Sequence, residues 1–179
     1  CGNSGRSPQP HLHFQLQETP FVGAHTLNYP IAYYISNEKG KYVFKSFDYP
    51  EKKDLITNVS KTKLLEQAFS FRLGSIYQFT QNNADGTSQN VEWEVKVDIY
   101  NRTYLYCETD KSFAYFVNDD MLFYFLSFEG NKNSLLYYFY LAANKILLGF
   151  YRDIELTDFF PVSQYNAGIA QLPFRWLED

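Results

Sequence analysis

Val91-Glu92-Trp93-Glu94-Val95-Lys96-Val97-Asp98-Ile99-Tyr100 alternates apolar and polar residues without a break. Side chains of a strand point to opposite faces in turn. Val91, Trp93, Val95, Val97 and Ile99 therefore share one face, and Glu92, Glu94, Lys96 and Asp98 share the other. Period two with one oily face is the mark of an antiparallel strand buried on one side. The segment predicts a strand over 91–100, with Trp93, Val95 and Val97 inward and Glu92, Glu94 and Lys96 outward.

The flanks repeat the theme. Asn101-Arg102 marks a turn, and Thr103–Glu108 returns as a strand. Asp110-Lys111 turns again before Ser112–Val117, and Asn118-Asp119-Asp120 separates that run from Met121–Phe128. Gly130-Asn131-Lys132-Asn133 closes the series. Ser134–Ala142 and Ile146–Leu156 are read as two more strands about a turn at Ala143-Asn144-Lys145, in preference to the alternative of a helix over Ser134–Ile146, because aromatic residues favour pleated surfaces and the turn residues interrupt the run. Upstream, Lys41–Tyr49 and Ser75–Gln81 read as strands, and Asp85-Gly86 gives a turn signal inside the polar run 82–89. Roughly eight strands at a spacing of about 8–12 residues predict a mainly β fold, an antiparallel meander closing as a barrel or a sandwich. One helix is expected, over Lys61–Phe71, with Ser60 as its cap and Leu64, Leu65 and Phe69 near one face.

Composition agrees. Aromatic residues make up 20% of the 179-residue chain, with 17 Phe and 16 Tyr, and apolar residues reach 45%. That suffices for a core in one domain plus a small remnant, or in two very small domains. The formal charge of −4, with 16 Lys and Arg against 20 Asp and Glu, argues against a nucleic-acid partner. The longest apolar stretch, Ser134–Tyr151, is broken by Asn144 and Lys145, so no transmembrane segment is expected. Cys1 and Cys107 are the only cysteines, and free thiols are expected.

Chemistry concentrates at the N-terminus. His11-Leu12-His13 holds two of the three histidines. On a strand, His11, His13, Gln15 and Gln17 share one face, and Leu12, Phe14 and Leu16 the other. Imidazoles held rigidly at about 2.0–2.1 Å from a metal are what a zinc site needs, although the spacing alone does not establish one. Elsewhere, no Gly-rich phosphate loop precedes a helix, and no nucleophile elbow accompanies a histidine. Asp119-Asp120 and the Glu51/Asp54 pair read as solvated turn charges. Two groups of tyrosines, Tyr104/Tyr106 and Tyr137/Tyr138/Tyr140, are candidate linings for a ligand pocket, with core and sheet-face roles as the plainer reading.

The run Ser4-Gly5-Arg6-Ser7-Pro8-Gln9-Pro10-His11-Leu12-His13-Phe14 resembles the closing motif of LytM/lysostaphin-type zinc metallopeptidases, approximately S-G-x-S-T-G-P-H-L-H-[FY]-E. Pro8 and Gln9 stand where Thr-Gly is usual, and Gln15 where Glu is usual. The resemblance covers about residues 1–35. It implies that His13 is a zinc ligand and that His11 is a catalytic acid/base beside the metal-bound water. It further implies a peptidoglycan peptide as substrate and the bacterial cell envelope as location.

The family's other zinc ligands lie in an upstream His-x-x-x-Asp motif. No Asp follows His11, His13 or His25 at that spacing. The expectation is therefore a C-terminal part of a zinc-dependent peptidoglycan endopeptidase. Residues 1–30 would be the last strands of the peptidase core, and residues 31–179 an all-β accessory domain. Zinc would belong to the full-length parent, with none stably bound by this chain. The alternative is a non-catalytic β module that binds a glycan, a small apolar ligand or a partner protein. Cys1 keeps two readings, a lipidated N-terminal cysteine or an interior residue of the peptidase.

Overall fold

A computed structural model describes residues 15–38, 40–51 and 54–156. In chain order the elements are β1 (Leu16–Gln17), β2 (Thr26–Leu27), β3 (Ile31–Glu38), β4 (Lys41–Asp48), β5 (Leu55–Thr57) and α1 (Lys63–Ala68). There follow β6 (Ile76–Asn82), β7 (Ser88–Val97), β8 (Thr103–Cys107), β9 (Ser112–Asn118), β10 (Leu122–Glu129), α2 (Leu135–Ala142), β11 (Lys145–Leu147) and β12 (Glu155–Leu156). The fold is mainly β. Its largest unit is a curled six-stranded antiparallel sheet in the order β11-β10-β9-β8-β7-β6, a meander in which α2 interrupts the last connection. A four-stranded sheet, β12-β4-β3-β5, and the two-stranded ribbon β1-β2 complete it. The pairing is antiparallel except between β12 and β4.

The alternation of 91–97 sets the inner face. Val91, Trp93 and Val95 are buried, Glu92 is exposed, and Glu94 and Lys96 are half-buried. Trp93 pairs with Cys107 and Val95 with Leu105 across the β7–β8 ladder, so the burial continues into β8. Two details differ from the sequence reading. The strand stops at Val97, which is 38% exposed, and Ile99 stands 91% exposed in the turn. Asp98 causes the stop. Its carboxylate accepts hydrogen bonds from the backbone N–H of Tyr100 and Arg102 and from the Arg102 side chain, and Asn101 takes the left-handed conformation at φ 62°. Local side-chain acceptors of this kind favour a turn over a continued ladder.

The larger correction is at 134–142, expected as a strand and found as α2. Ser134 takes extended dihedrals, and its Oγ accepts from the Tyr137 N–H at 3.1 Å, a helix N-cap. Leu136, Tyr137, Tyr140 and Ala143 are the buried residues. They recur at helical spacing, and a strand would have sent them to both faces. The helix expected over 61–71 exists but spans only 63–68, and Leu64 is exposed. Its cap position is Thr62, without a side-chain cap bond, instead of Ser60. The Thr62 hydroxyl is engaged elsewhere, accepting from the Phe150 N–H, and Ser60 lies two residues before the cap position, its N–H donating to the Tyr151 hydroxyl. Beyond the helix, Phe69 and Phe71 turn into the core.

Two hydrophobic cores share strand β10. The first lies between the inner face of the six-stranded sheet and α2, and includes Trp93, Leu105, Phe116, Phe123, Phe125 and Leu136. The second joins Ile35 and Phe44 of the four-stranded sheet to Val59, Leu122 and Leu147. A bulge between Phe125 and Ser127 places Leu126 out of the ladder, 52% exposed. It resets the parity of the strand, so that Phe128 reaches Tyr137 and Tyr140. The expected docking of Phe174, Trp176 and Leu177 falls outside the described residues.

Two tests follow from these contacts. A Cβ at Gly149 would lie 2.5 Å from the Ser60 carbonyl oxygen, a backbone atom and not the end of a flexible side chain. Gly149→Ala is expected to cost about 3 kcal/mol in urea denaturation, against about 1 kcal/mol for Gly40→Ala at an open turn; equal effects at the two sites would refute the close approach.

Asp98 supplies the second test. Burial raises its carboxyl pKa, but the hydrogen bonds from Arg102 and Tyr100 and the Arg102 charge outweigh it and hold the group below the usual carboxylate range. A lowered folded-state pKa stabilises above the unfolded value, and the benefit fades as pH falls through the folded one. Asp98→Asn should lower the thermal midpoint at pH 7, and the gap to wild type should close below about pH 3.9. A gap independent of pH would show that the charge plays no part.

Candidate functional site

The sequence-derived site, His11 and His13, lies outside the described residues. His25 is described and exposed on the segment before β2. Among the described residues no three His, Cys, Asp or Glu side chains gather where they could hold a metal ion.

The paired carboxylates are turn charges. Asp119 accepts from the N–H groups of Met121 and Leu122, Asp120 pairs with Lys61, and Asp54 accepts from the Glu51 N–H. Cys107 is a free, fully buried thiol, and burial pushes its pKa up, away from the thiolate that nucleophilic chemistry requires.

The tyrosines divide between the two sides of the large sheet. Tyr104 and Tyr106 lie on its outer face, where Tyr104 packs on Tyr115 at 5.1 Å and Tyr106 on Phe113 at 4.9 Å between ring centroids. Lys96 covers the Tyr106 ring and Arg102 the Tyr115 ring. The Tyr106 hydroxyl donates to Glu108, which raises its pKa. These are cross-strand pairs that stabilise a sheet face. Tyr137 and Tyr140 are buried in the first core. Tyr138 alone of the five reaches an opening, and it is 54% exposed.

That opening is a cleft of about 460 Å³ between α2 and the β6–β7 end of the large sheet. Tyr77, Phe79 and Trp93 form the strand side, and Leu135, Tyr138 and Phe139 the helix side. Phe71, just beyond α1, and the exposed Ala68 and Ala142 also line it. The walls are mutually packed rings. Trp93 lies between Phe79 at 4.5 Å and Phe139 at 5.3 Å, and Phe71 meets Tyr77 edge-on at 5.2 Å.

No charged residue lines this cleft. The Tyr77 hydroxyl donates to the Ser70 carbonyl. The indole N–H of Trp93 is buried, with no hydrogen-bond partner among the described residues. A buried donor left unpaired costs about 1–3 kcal/mol. An apolar, ring-walled recess with few polar groups is the usual form of a small-molecule site.

Phe71, Phe79, Trp93 and Phe139 were not singled out as site residues from the sequence. Helical spacing of 136, 137, 140 and 143 behind a Ser134 cap was the signal that would have placed Phe139 opposite the sheet.

No protein-family model, no curated protein and no solved structure matches this chain.

Proposed function

We propose that the chain is the C-terminal part of a zinc-dependent peptidoglycan endopeptidase and that residues 31–179 are a ligand-binding accessory module of it. The observation that carries the first half is the sequence from Ser4 to Phe14, with Pro10, His11, Leu12, His13 and Phe14 in the order and spacing of the LytM-type closing motif. In this reading His13 holds zinc and His11 transfers protons for a metal-activated water that attacks a cross-link peptide bond. Two imidazoles leave a zinc ion short of its usual ligands, so the reaction belongs to the parent protein, whose His-x-x-x-Asp would complete the site. The cell envelope is the matching location.

The second half has its own support, the aromatic cleft between α2 and the β6–β7 end of the sheet. The described module offers a ring-walled recess of about 460 Å³ for a ligand. Binding is therefore the role its geometry favours.

The first half is tested by metal content and turnover of a cross-linked muropeptide. The 179-residue chain should hold no stoichiometric zinc and cleave nothing. The parent protein, extended upstream through its His-x-x-x-Asp, should bind one zinc. There His13→Ala should lose the metal, and His11→Ala should keep it while turnover falls about a hundredfold or more. Unchanged metal content and turnover in both variants would remove His11 and His13 from the site.

A further inference from the structure

We propose that the outer edge of β6 is a self-association surface, where two copies of this chain join edge to edge and antiparallel about a two-fold axis at Phe79. The inference goes beyond the proposed function and does not depend on it.

β6 ends the six-stranded sheet, and no strand pairs with its outer side among the described residues. Its sequence, Ile76-Tyr77-Gln78-Phe79-Thr80-Gln81-Asn82, has no charge and no proline. Its ladder with β7 keeps one register from Ile76 opposite Glu94 to Asn82 opposite Ser88, so no bulge twists the edge away. Proteins normally blunt an open edge with lysine, proline, a bulge or brevity. Brevity protects the other sheet edges. Among the described residues β5 and β11 have three residues each and β12 has two. β6 has seven residues and none of these protections.

The ladder fixes which backbone groups are free. The Val95 N–H donates to the Ser75 carbonyl at one end, and the Asn83 N–H donates to the Thr87 carbonyl at the other. Hydrogen-bonded pairs alternate along an antiparallel ladder. Tyr77, Phe79 and Gln81 therefore turn their N–H and C=O groups toward β7. Ile76, Gln78, Thr80 and Asn82 turn theirs outward, and all four residues are exposed. Their polar side chains are drawn back toward β7, where Gln78 bonds Glu92, Thr80 bonds Asn90 and Asn82 bonds Ser88.

Free groups at every second residue match another strand, and β6 matches itself. A two-fold axis at Phe79 sets Ile76 against Asn82 of the second copy, and Gln78 against Thr80. Outward-facing residues then meet only outward-facing residues, and each pair exchanges two backbone hydrogen bonds. Phe79 falls opposite Phe79 at a non-hydrogen-bonded position, where side chains come closest, and part of its 37% exposure is covered. No like charges meet along the seam. The strand of an unrelated protein would need this uncharged pattern by chance, whereas a second copy carries it. A seam one strand long belongs to the small, transient class of interfaces, so the dissociation constant is expected on the order of 100 μM.

The experiment is sedimentation velocity of the 179-residue chain at concentrations spanning that value. The wild-type chain should pass from monomer to dimer as concentration rises. Thr80→Pro removes an outward N–H and leaves the β7 ladder whole, because proline is tolerated on an edge strand. It should weaken association at least tenfold with little change in the thermal midpoint.

A second variant keeps the test decisive if Thr80→Pro disturbs the strand. Cα atoms at a non-hydrogen-bonded pair lie about 4.5 Å apart, within disulfide reach. In a Cys1→Ser background, Phe79→Cys should form a disulfide-linked dimer under mild oxidation at least ten times faster than Ile99→Cys. Ile99 is 91% exposed in a turn and reports random collision.

A monomer at every concentration, with Phe79→Cys linking no faster than Ile99→Cys, would overturn the inference. A dimer that Thr80→Pro leaves at full strength would place the contact elsewhere and overturn it too. So would slow amide exchange at Gln78 and Thr80 in the dilute monomer, which would mean that the chain covers its own edge. Weakening by Thr80→Pro without preferential linkage of Phe79→Cys would keep the edge and overturn the axis.

Discussion

Strand β10 begins with two adjacent residues that both need burial, and the arrangement of the module follows from that constraint. Leu122 and Phe123 point to opposite faces, and each has no accessible surface. A strand in a half-exposed sheet buries alternate residues only. Here Phe123 enters the core under α2, while Leu122 meets Ile35, Phe44 and Leu147 of the second core. Burying a Leu or Phe side chain contributes about 1.5–3 kcal/mol. Separating the four-stranded sheet from the large one would forfeit that gain for Leu122 and its neighbours. The same pairing holds β11 in place, because Leu147 lies directly across from Leu122 in the ladder.

How well a segment could be read depended on whether its faces met one environment or two. At 91–95 local alternation and tertiary burial agree, and the residues announce the strand. At 134–142 they conflict. Leu-Leu-Tyr-Tyr-Phe-Tyr-Leu is rich in residues that favour strands, and propensity alone points the wrong way. What decides is the sheet beneath, which rewards one side of a helix through Leu136, Tyr137 and Tyr140. Ser134 was the local hint, since a capping hydroxyl before an apolar run starts a helix. At 97–99 the apolar pattern continued past the end of the strand, because Asp98 gathers the turn's N–H groups whatever its neighbours prefer. The tight alternation therefore over-extended the strand by its last three residues.

The candidate sites differ in the same way. His11 and His13 are legible because the spacing of a motif is itself local, and their meaning still depends on ligands elsewhere in the parent protein. The cleft is the reverse. Phe79, Trp93 and Phe139 come from three elements, and nothing local marks them as neighbours. They meet only because the meander brings β6 beside β7 and α2 folds back across the inner face. The tyrosines that looked most like a pocket lining were separated by strand parity and by the helix, and only Tyr138 reached the opening.

Trp93 belongs to both the first core and the cleft wall, and this ties binding to stability. Its ring packs between Phe79 and Phe139, so the spacing of the cleft is held by contacts that also hold the sheet to α2. A ligand seated there would add apolar contacts to rings that the fold leaves partly exposed, Phe79 at 37% and Tyr138 at 54%. Anything that binds the folded state alone raises its stability by mass action, about 2.7 kcal/mol at a hundred times the dissociation constant. The contacts that hold α2 to the sheet and those that would hold a ligand are thus made by the same ring.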